Sequence, residues 1–392
     1  MLLDQIAKHQ SRIAQGGLTN SKFHASFPEN APYFIERAYG PYCYTKEGEQ
    51  FIDLSAALGA ISIGHNETSV LEAVQKQLIK GNLFTMASSI ESECADFLLT
   101  EFLTDYDAVK YLKTGAEATT GAITIARSAT GRQRIITQGY HGHHPHWCST
   151  KPTHFGVMDH FYFKEYPTVD DILKLPVSDL QSVAAVIVEA LFLDDDEYSI
   201  LNLIKLKELC DKSGTLLILD EIITGFRVDT AFVSKLIKPN LICIGKGIAN
   251  GFSLSGIVGS KELMHETPYF ISSTFAGETI PLAAHLAVMK YIKNNNLKGF
   301  CEWAKNLMKR IKLPKGITYE GYGTRGYFKG ENFTHFQQEA IKAKLLFNPS
   351  PFLNFSHQPL EKVILSSFDD ACYSMERTNL EGRPARSNFK RL

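Results

Sequence analysis

The segment LICIGKGIANGFSLSG, residues 241–256, decides how the rest of the chain is interpreted. Its apolar beginning, 241–245, predicts a strand, and Lys246 follows between two glycines. Burial disfavours the charged form of a lysine and lowers its pKa. A lysine with a lowered pKa is the group that forms Schiff bases with carbonyl compounds. A phosphate-binding lysine or a solvated loop charge would fit the same letters, so the segment alone leaves the role of Lys246 open.

Strand-like and helix-like segments alternate on both sides of this lysine. The predicted strands are AVKYL (108–112), RIITQ (134–138), AAVIVEA (184–190), TLLILD (215–220) and SGIVGS (255–260), and helices are predicted from Glu117 and over 203–214. Short apolar runs between helices are typical of an α/β domain whose mostly parallel sheet is covered on both faces. Ligands bind such sheets where loops leave the carboxyl ends of strands. We therefore expect the loops after 112, 138, 220 and 245 to lie together.

The loop after residue 112 has the composition of an anion-binding turn. In KTGAEATTGAITIARSATG (113–131), the small residues Gly115 and Ala116 follow Thr114 and precede the predicted helix. Small residues let backbone N–H groups approach an anion, and the helix dipole adds positive potential there. The alternative is an ordinary strand-to-helix turn with Thr114 as its cap. The segment is neither GxGxxG nor GxxxxGK, so it gives little support to a nucleotide.

The loop after residue 220 begins with two carboxylates. In LILDEIITGFR (217–227), Asp220 and Glu221 end an apolar run, so one of them should point toward the edge of the sheet. Asp220 could be a general base, a metal ligand or the partner of a cationic nitrogen. A capping or surface acid is the alternative.

GYHGHHPHWC, residues 139–148, places four histidines and a cysteine within ten positions, and we call this segment the histidine loop. His141, His143, His144, His146 and Cys148 are of the residue types that zinc prefers as ligands. The spacing is poor for one tetrahedral site, because adjacent side chains diverge and no CxxC or HxxxH pair supports them. The spacing therefore argues against a metal site in this loop but leaves the function of its histidines open.

The composition of the whole chain excludes some classes of partner. It has 392 residues, 44% of them hydrophobic, and a formal net charge of −1 without a long basic run, so neither nucleic acid nor a membrane surface is expected to bind. The seven cysteines are scattered and odd in number, which indicates free thiols in a reducing compartment. MLLDQIAKHQSRIAQGG (1–17) predicts neither a signal peptide nor a membrane span. The expected location is the cytoplasm.

The domain organisation is expected to have three parts. Residues 1–45 are predicted to join a small domain, 46–285 to form the large α/β domain, and 286–392 to complete a small α+β domain. YCYTKEGEQFIDL (42–54) predicts two strands around a turn, and helices are expected over 69–80 and near 282–293. The tail EGRPARSNFKRL (381–392) is expected to be frayed.

A phosphate cradle, an aromatic ring at Tyr140, a carboxylate and an imine-forming lysine together match the needs of pyridoxal 5′-phosphate (PLP). The sequence resembles the class III aminotransferases of the fold-type I PLP enzymes, most closely the glutamate-1-semialdehyde 2,1-aminomutase branch. KTGAEAT resembles the family's NSGTEAT, GYHGHH its YHGH, LILDEIITGFR its DEVMTGFR, and STFAGETIPLAAH (273–285) its GTLSGNPLAMAAG. IGKGIANGFSLSGIVGSKELM is similar to the segment that carries the Schiff-base lysine. The resemblance implies a large, mostly parallel-sheet domain and a smaller α+β domain.

The resemblance implies roles for the residues that contact the coenzyme ring. Lys246 would hold PLP as an internal aldimine and then move a proton between Cα and C4′. Asp220 would pair with the pyridinium nitrogen. Ile222 would pack on one face of the ring and Tyr140 would stack on the other, with His141 beside it.

The resemblance also implies how the phosphate is bound. Gly115 and Ala116 would donate backbone amides to it, helped by Thr114. Thr274 would reach the phosphate of the neighbouring subunit, so the active unit would be a homodimer with shared active sites.

Departures from the aminomutase pattern concern the substrate. The aminomutases place an arginine near the N-terminus to bind a carboxylate, whereas TNSKFHASF (19–27) offers Lys22 and His24. Neither side chain provides the bidentate fork that suits a carboxylate. Leu58 stands where the aminomutases have tryptophan, and Ala190 stands where the family usually has proline. The loop after GYHGHH is also shorter than the lid of the aminomutases.

We therefore expect an aminotransferase that moves an amino group between a small-molecule amino donor and an aldehyde or ketone acceptor, such as a sugar or a secondary-metabolite intermediate. An intramolecular aminomutase, a racemase or a decarboxylase would use the same coenzyme. A non-catalytic relative would have lost the lysine or the aspartate, and both are present. A zinc hydrolase built on the histidine loop is the third alternative.

Overall fold

The computed structural model describes residues 2–144, 162–191 and 197–385. The chain divides into two units by its contacts, one comprising Met1–Glu67 with Phe300–Leu392 and the other Thr68–Gly299. The domain borders expected at 45 and 285 stay a prediction. No helix in the described ranges combines the length and apolar character needed to cross a bilayer.

The helices and strands are numbered in chain order. The helices are α1 Leu2–Arg12, α2 Thr68–Leu78, α3 Ser89–Glu101, α4 Gly115–Thr130, α5 Val169–Leu173, α6 Val177–Leu180, α7 Glu197–Ser213, α8 Ser234–Ile237, α9 Thr279–Asn294, α10 Leu297–Arg310, α11 Phe333–Lys342 and α12 Glu361–Met375. The strands are β1 Arg37–Tyr39, β2 Tyr42–Tyr44, β3 Gln50–Asp53, β4 Ala108–Leu112, β5 Arg134–Gln138, β6 Phe163–Glu165, β7 Val183–Glu189, β8 Leu216–Asp220, β9 Leu241–Ile244, β10 Ser255–Gly259, β11 Thr318–Gly321, β12 Gly326–Lys329 and β13 Leu345–Leu346. Short helical turns lie at Ala14–Gly16, Asn20–Lys22, His24–Ser26, Ala56–Gly59, Lys246–Ala249, Glu262–Glu266 and Phe355–Leu360.

A seven-stranded sheet with the order β4-β10-β9-β8-β7-β5-β6 forms the centre of the 68–299 unit. The neighbours from β9 to β6 pair in parallel, whereas β10 is antiparallel to both β4 and β9. Because β4 and β9 both oppose β10, they run the same way. This arrangement confirms the prediction of an α/β fold with a mostly parallel sheet.

The middle strands of this sheet are buried on both faces, as their continuous apolar sequences predict. Every residue of β7 and of β9 is buried. Full burial of one such aliphatic side chain contributes about 1.5–3 kcal/mol. Helix α4 covers one face with small residues, and a Cβ added at Gly121 would come within 2.6 Å of Ile257. Small side chains therefore bring the backbone of α4 close to the sheet.

The predicted elements match the structure closely, and the largest differences are at helix ends. The strands predicted at 108–112 and 134–138 have those bounds, and the hairpin of 42–54 is formed by β2 and β3. Helix α4 begins at Gly115, earlier than predicted, because Thr114 and Glu117 form a capping box. Helix α7 begins at Glu197, six residues before the predicted start at 203.

The other unit has its own sheet and core. Its four-stranded sheet has the order β1-β2-β3-β13, with β3 and β13 parallel, and β11 pairs with β12. An aromatic cluster fills the space beneath helices α11 and α12, with ring centroids 5.4–6.2 Å apart among Phe328, Phe336, Phe347 and Phe368. Mixed helices and short strands in this region agree with the predicted α+β character.

Candidate active site

Loops from several strands meet at one edge of the seven-stranded sheet. β4, β5, β8 and β9 end there, and β10 begins there because it runs the other way. The hydroxyl of Ser255, the first residue of β10, donates to the carbonyl oxygen of Thr114 at 2.7 Å. The four loops expected to lie together are thus brought to the same edge.

Asp220 and His141 form a buried pair at this edge. The distance from His141 Nδ1 to Asp220 Oδ2 is 2.7 Å, and both side chains are more than nine-tenths buried. His141 Nε2 lies 3.0 Å from the carbonyl oxygen of Gln138. A carbonyl can only accept, so Nε2 carries a proton. The other oxygen of Asp220 accepts the backbone N–H of Ile222 at 3.0 Å.

The neighbouring carboxylate, Glu221, points elsewhere. It is fully buried and accepts hydrogen bonds from the backbone amides of Val233 and Ser234 and from the hydroxyl of Thr224. Burial raises the pKa of Glu221, while these hydrogen bonds oppose the rise. Among the described residues, Asp220 contacts the histidine loop, whereas Glu221, the next residue, bonds to Thr224, Val233 and Ser234.

A third carboxylate, Glu189, holds the backbone at Tyr140. Glu189 ends strand β7, and its Oε1 accepts the backbone N–H of Tyr140 at 2.8 Å. Gly139, with φ +102°, packs against Glu189 so closely that a Cβ would lie 2.7 Å from its Cγ. The amide of Ala190 donates to the carbonyl oxygen of Asp220 at 3.0 Å. The proline that the family pattern favours at position 190 has no N–H and would lose this bond.

The histidine loop is pressed against the start of helix α4. Gly142 has φ +117°, and a Cβ there would lie 2.6 Å from the Cβ of Ala116. The buried hydroxyl of Thr119 donates to the carbonyl oxygen of His141 at 2.7 Å. Only glycine fits at 142, because both the backbone conformation and the space exclude a side chain.

The turn at the start of α4 contacts the other loops through Ile222. A Cβ on Gly115 would lie 2.8 Å from Ile222 Cδ1, and one on Gly245 would lie 3.3 Å from its Cγ2. Thr114 is the N-cap of α4 and accepts the amide of Glu117 at 3.2 Å. Thr114 therefore caps the helix, and the backbone at 115 and 116 begins a sixteen-residue helix.

Lys246 lies in a strained turn immediately after β9. The turn Lys246–Ala249 begins after Gly245, and Lys246 itself has the left-handed φ of +47°. Such a conformation is uncommon for residues other than glycine and is concentrated at functional sites. The lysine is half-buried, between the buried residues on either side of it.

Thr274 lies on an exposed segment of the same unit. Its neighbour Phe275 is 57% exposed, and the turn is closed by a hydrogen bond from the amide of Ala276 to the carbonyl oxygen of Ser273 at 3.1 Å. A few residues on, Glu278 accepts hydrogen bonds from Lys113 and from Asn82. These contacts tie the segment to the loop that contains Thr114.

The candidate substrate residues Lys22, His24 and Leu58 belong to the other unit. Lys22 is exposed, whereas His24 donates from Nε2 to the carbonyl oxygen of Ala31 at 3.0 Å and stacks on Tyr33. Leu58 is half-buried and has φ +61° within the turn Ala56–Gly59.

The beginning of the C-terminal tail is packed against the residues near His24, so the expectation of a frayed tail is wrong for 381–385. The amide of Arg383 donates to Glu29 at 2.7 Å, and its guanidinium lies 3.5 Å from His24 Nδ1. The amide of Glu381 donates to the buried Gln338 at 2.9 Å. Residues 386–392 lie outside the described ranges.

The remaining histidines of the loop have ordinary surroundings. His144 Nδ1 lies 2.8 Å from the hydroxyl of Thr120, and its ring meets that of His143 edge to face. Within the described ranges, no three His, Cys, Asp or Glu side chains converge as a metal site requires. His146, Cys148 and the shorter lid-like loop lie outside those ranges.

The residues at the sheet edge fit PLP. A glycine-lined helix start suits its phosphate, the buried Asp220–His141 pair suits a protonated ring nitrogen, and a half-buried lysine suits its aldehyde. Glu189 was missed in the sequence, although an acid at the end of an apolar strand is the same signal that identified Asp220.

Comparisons with known proteins agree with this fit. A family model described as "Aminotransferase class-III" matches residues 24–313. A glutamate-1-semialdehyde 2,1-aminomutase from Haloarcula marismortui is 28% identical in an alignment 319 residues long that covers 73% of this chain and 68% of that relative.

Solved structures share the fold. The FumI protein of Sphingopyxis sp. MTA144, in its PLP internal aldimine form, superposes with a TM-score of 0.87 at 22% identity, covering 98% of each chain. An omega-transaminase from Sphaerobacter thermophilus gives a TM-score of 0.80 at 20% identity, covering 95% of this chain and 97% of the other.

Proposed function

Because this chain belongs to the class III aminotransferase family, whose members are PLP-dependent enzymes, we propose that its reaction takes place at Lys246 and Asp220. The enzyme moves an amino group between an amino donor and an aldehyde or ketone acceptor. The observation that carries the assignment is the convergence of the Lys246 turn, the buried Asp220–His141 pair and the start of α4 at one sheet edge.

Lys246 is proposed to bind the coenzyme covalently and to carry the proton during transfer. When bound, PLP supplies an aldehyde that condenses with amines and a ring that withdraws electrons from the bond being broken. Asp220 is proposed to keep the ring nitrogen protonated. His141 supports it by fixing the position of the carboxylate: both ring nitrogens face acceptors, and the ring donates from Nε2 to the carbonyl oxygen of Gln138 and from Nδ1 to Asp220.

The remaining contacts of the coenzyme are proposed from the same edge. Gly115 and Ala116 would donate backbone amides to the phosphate at the positive end of α4, with Thr114 beside them. Ile222 would pack on one face of the ring, since it already contacts Gly115 and Gly245. Tyr140, which is 37% exposed, would stack on the other.

We also propose a homodimer in which Thr274 completes the neighbouring subunit's phosphate site. Large apolar side chains are exposed close to Thr274 in sequence or in space: Leu83, Phe84, Met86, Phe270 and Phe275, from 41% to 88%. Residues 83–86 lie close to the segment of Phe275, because the amide of Thr279 donates a hydrogen bond to the carbonyl oxygen of Asn82 at 2.8 Å. Exposed apolar patches of this kind mark protein interfaces.

Sedimentation velocity tests the dimer. The double substitution Phe84→Asp with Met86→Asp is expected to convert a dimer into monomers, while Leu236→Asp, at another exposed leucine, leaves it dimeric. A monomeric wild-type protein would contradict the proposal.

For the substrate we propose contacts from Lys22, His24 and Leu58. A carboxylate bound near His24 would also meet the guanidinium of Arg383, which the fold brings to within 3.5 Å of that imidazole. Arg383 lies near the C-terminus, whereas the carboxylate-binding arginine of the aminomutases lies near the N-terminus. A cytoplasmic location is proposed from the free thiols of the described cysteines.

Chemical trapping tests the role of Lys246. Protein loaded with PLP and reduced with borohydride is expected to yield an adduct on the peptide containing Lys246, and bleaching of the bound coenzyme by a panel of amines identifies the donor. Lys246→Ala should abolish both the adduct and turnover, whereas Lys261→Ala, at an exposed lysine, should retain both. An undiminished rate in Lys246→Ala would overturn the assignment.

An intramolecular aminomutase is the second candidate, favoured by the relative from Haloarcula marismortui. An aminomutase converts a single substrate into its isomer without an external acceptor. Product analysis with one substrate at a time therefore separates the two reactions.

A further inference from the structure

The turn that carries Lys246 is held in a conformation that its own backbone does not favour. Lys246 has φ +47° and Asn250 has φ +45°, and neither is glycine. Two hydrogen bonds within the turn are long. The amide of Ile248 donates to the carbonyl oxygen of Gly245 at 3.3 Å, and the amide of Asn250 donates to the carbonyl oxygen of Gly247 at 3.4 Å. Asparagine tolerates this region, but a left-handed lysine persists only where the surrounding structure fixes it.

A buried histidine of helix α9 contacts this turn from the core. His285 is completely buried, and its Nδ1 lies 2.8 Å from the carbonyl oxygen of Ile248. The carbonyl can only accept, so Nδ1 carries the proton and Nε2 has none. Nε2 is buried without a hydrogen-bond partner among the described residues, and the ring meets Tyr111 edge to face at 5.6 Å. Burial lowers the pKa of His285 to about 4, so the imidazole is neutral.

In the family pattern that this segment resembles, the position of His285 carries no side-chain donor. His285 ends STFAGETIPLAAH, and the corresponding letter of GTLSGNPLAMAAG is glycine, which has no side-chain donor. Burying a neutral imidazole costs more free energy than burying the small side chain of alanine or glycine. The hydrogen bond to the carbonyl oxygen of Ile248 is what can offset that cost.

We propose that His285 is a positioning residue for Lys246: its Nδ1–H fixes the carbonyl of Ile248 and thereby holds the strained turn that presents the lysine amine. The proposal rests on the proposed role of Lys246 as the coenzyme-binding residue. It predicts that the turn is ordered by His285 before any coenzyme binds.

The test uses the coenzyme-free protein and two substitutions at one position. His285→Asn keeps a side-chain N–H donor, and His285→Leu removes it. The rate at which PLP becomes attached to Lys246 is measured by borohydride quenching and peptide mass spectrometry, and amide hydrogen exchange is followed over residues 246–250. His285→Leu is expected to attach PLP roughly five- to tenfold more slowly and to exchange faster, the effect of losing one buried hydrogen bond. His285→Asn should stay within about twofold of wild type.

His265→Leu is the control, because His265 is exposed and should change neither measurement. Wild-type attachment and exchange in His285→Leu would overturn the proposal. If the wild-type protein attached no PLP to Lys246, the proposed function would fail, while the exchange measurement would still test the contact of His285 with the turn. If His285→Leu does not fold, the imidazole tautomer of the wild-type protein decides by ¹⁵N NMR: a proton on Nδ1 supports the proposal and a proton on Nε2 overturns it.

Discussion

The sheet edge of the 68–299 unit and the turn Ala56–Gly59 of the other unit obtain unusual backbone conformations in different ways. At the sheet edge, the left-handed positions of the histidine loop are glycines, with φ +102° at Gly139 and +117° at Gly142. In the turn, Ala56, Ala57 and Leu58 have φ values of 44°, 49° and 61°. The first conformation is one the local sequence favours, and the second must be imposed by contacts.

The contacts that impose the turn come from near and far. The carboxylate of Asp53 accepts the amides of Ser55 and Ala56 at 3.0 Å each and contacts His65 at 2.8 Å. From the opposite end of the chain, the amide of Asn348 donates to Ser55 Oγ at 3.1 Å. Local sequence therefore encodes the conformation of the histidine loop, whereas tertiary structure shapes the turn that contains a candidate substrate residue.

The largest effect is expected from removing the charge at the sheet edge. Asp220→Asn keeps the shape of the side chain but cannot hold a protonated ring nitrogen, so turnover should fall by at least about 100-fold. Borohydride trapping at Lys246 should persist, because the lysine is unchanged. Asp229→Asn, at an exposed aspartate, is the control. Steady-state kinetics of the two variants provide the measurement, and similar rates would mean that Asp220 is structural.

Adding one methyl group to the edge tests whether its glycines are obligatory. In Gly142→Ala the new Cβ would meet Ala116 at 2.6 Å and the backbone would be strained, so the free energy of unfolding should fall by about 3 kcal/mol. Gly131, with φ +67°, has no atom within 4 Å of such a Cβ. Gly131→Ala should therefore cost only about 1 kcal/mol. Urea unfolding measures both, and equal losses would contradict the role of the close contact.

Acid should lower the free energy of unfolding through the protonation of His285. Its pKa is lowered from 6.5 to about 4 in the folded protein. The unfolded chain therefore binds the proton first as the pH falls, and stability present above pH 6.5 is lost progressively down to about pH 4. The loss from this group reaches roughly 3 kcal/mol. Urea titrations across this range should show a shallower decline in His285→Asn than in wild type; parallel curves would exclude this origin.

The smallest expected effect has the opposite sign and belongs to the turn. Ala57→Gly removes a Cβ from a left-handed residue, so the free energy of unfolding should rise by about 0.5–1 kcal/mol. Ala73→Gly, in the interior of helix α2, should lower it by a similar amount. A loss of stability in both variants would show that the turn is not strained.

The features that could be predicted from the sequence are those encoded by short segments, and the features that could not depend on contacts between distant residues. The apolar strands and the residues that end them, such as Asp220 and Lys246, were found because both signals are local. Arg383 beside His24 could not be found, because their 359-residue separation leaves no trace in any short segment. Glu189 could have been found by the rule that identified Asp220. The capping box of Thr114 moved the start of α4 by two residues, within the usual uncertainty of helix ends.

The reversal of strand β10 has a consequence for how the protein folds. Because β10 returns beside β9, residues 245–254 close a single β-hairpin instead of a long crossover. Closing a short loop costs little chain entropy, and hairpins form within about 1–10 μs. Formation of the β9–β10 hairpin therefore positions Lys246 through contacts that are local in sequence. This step can precede the slower pairing of the parallel strands.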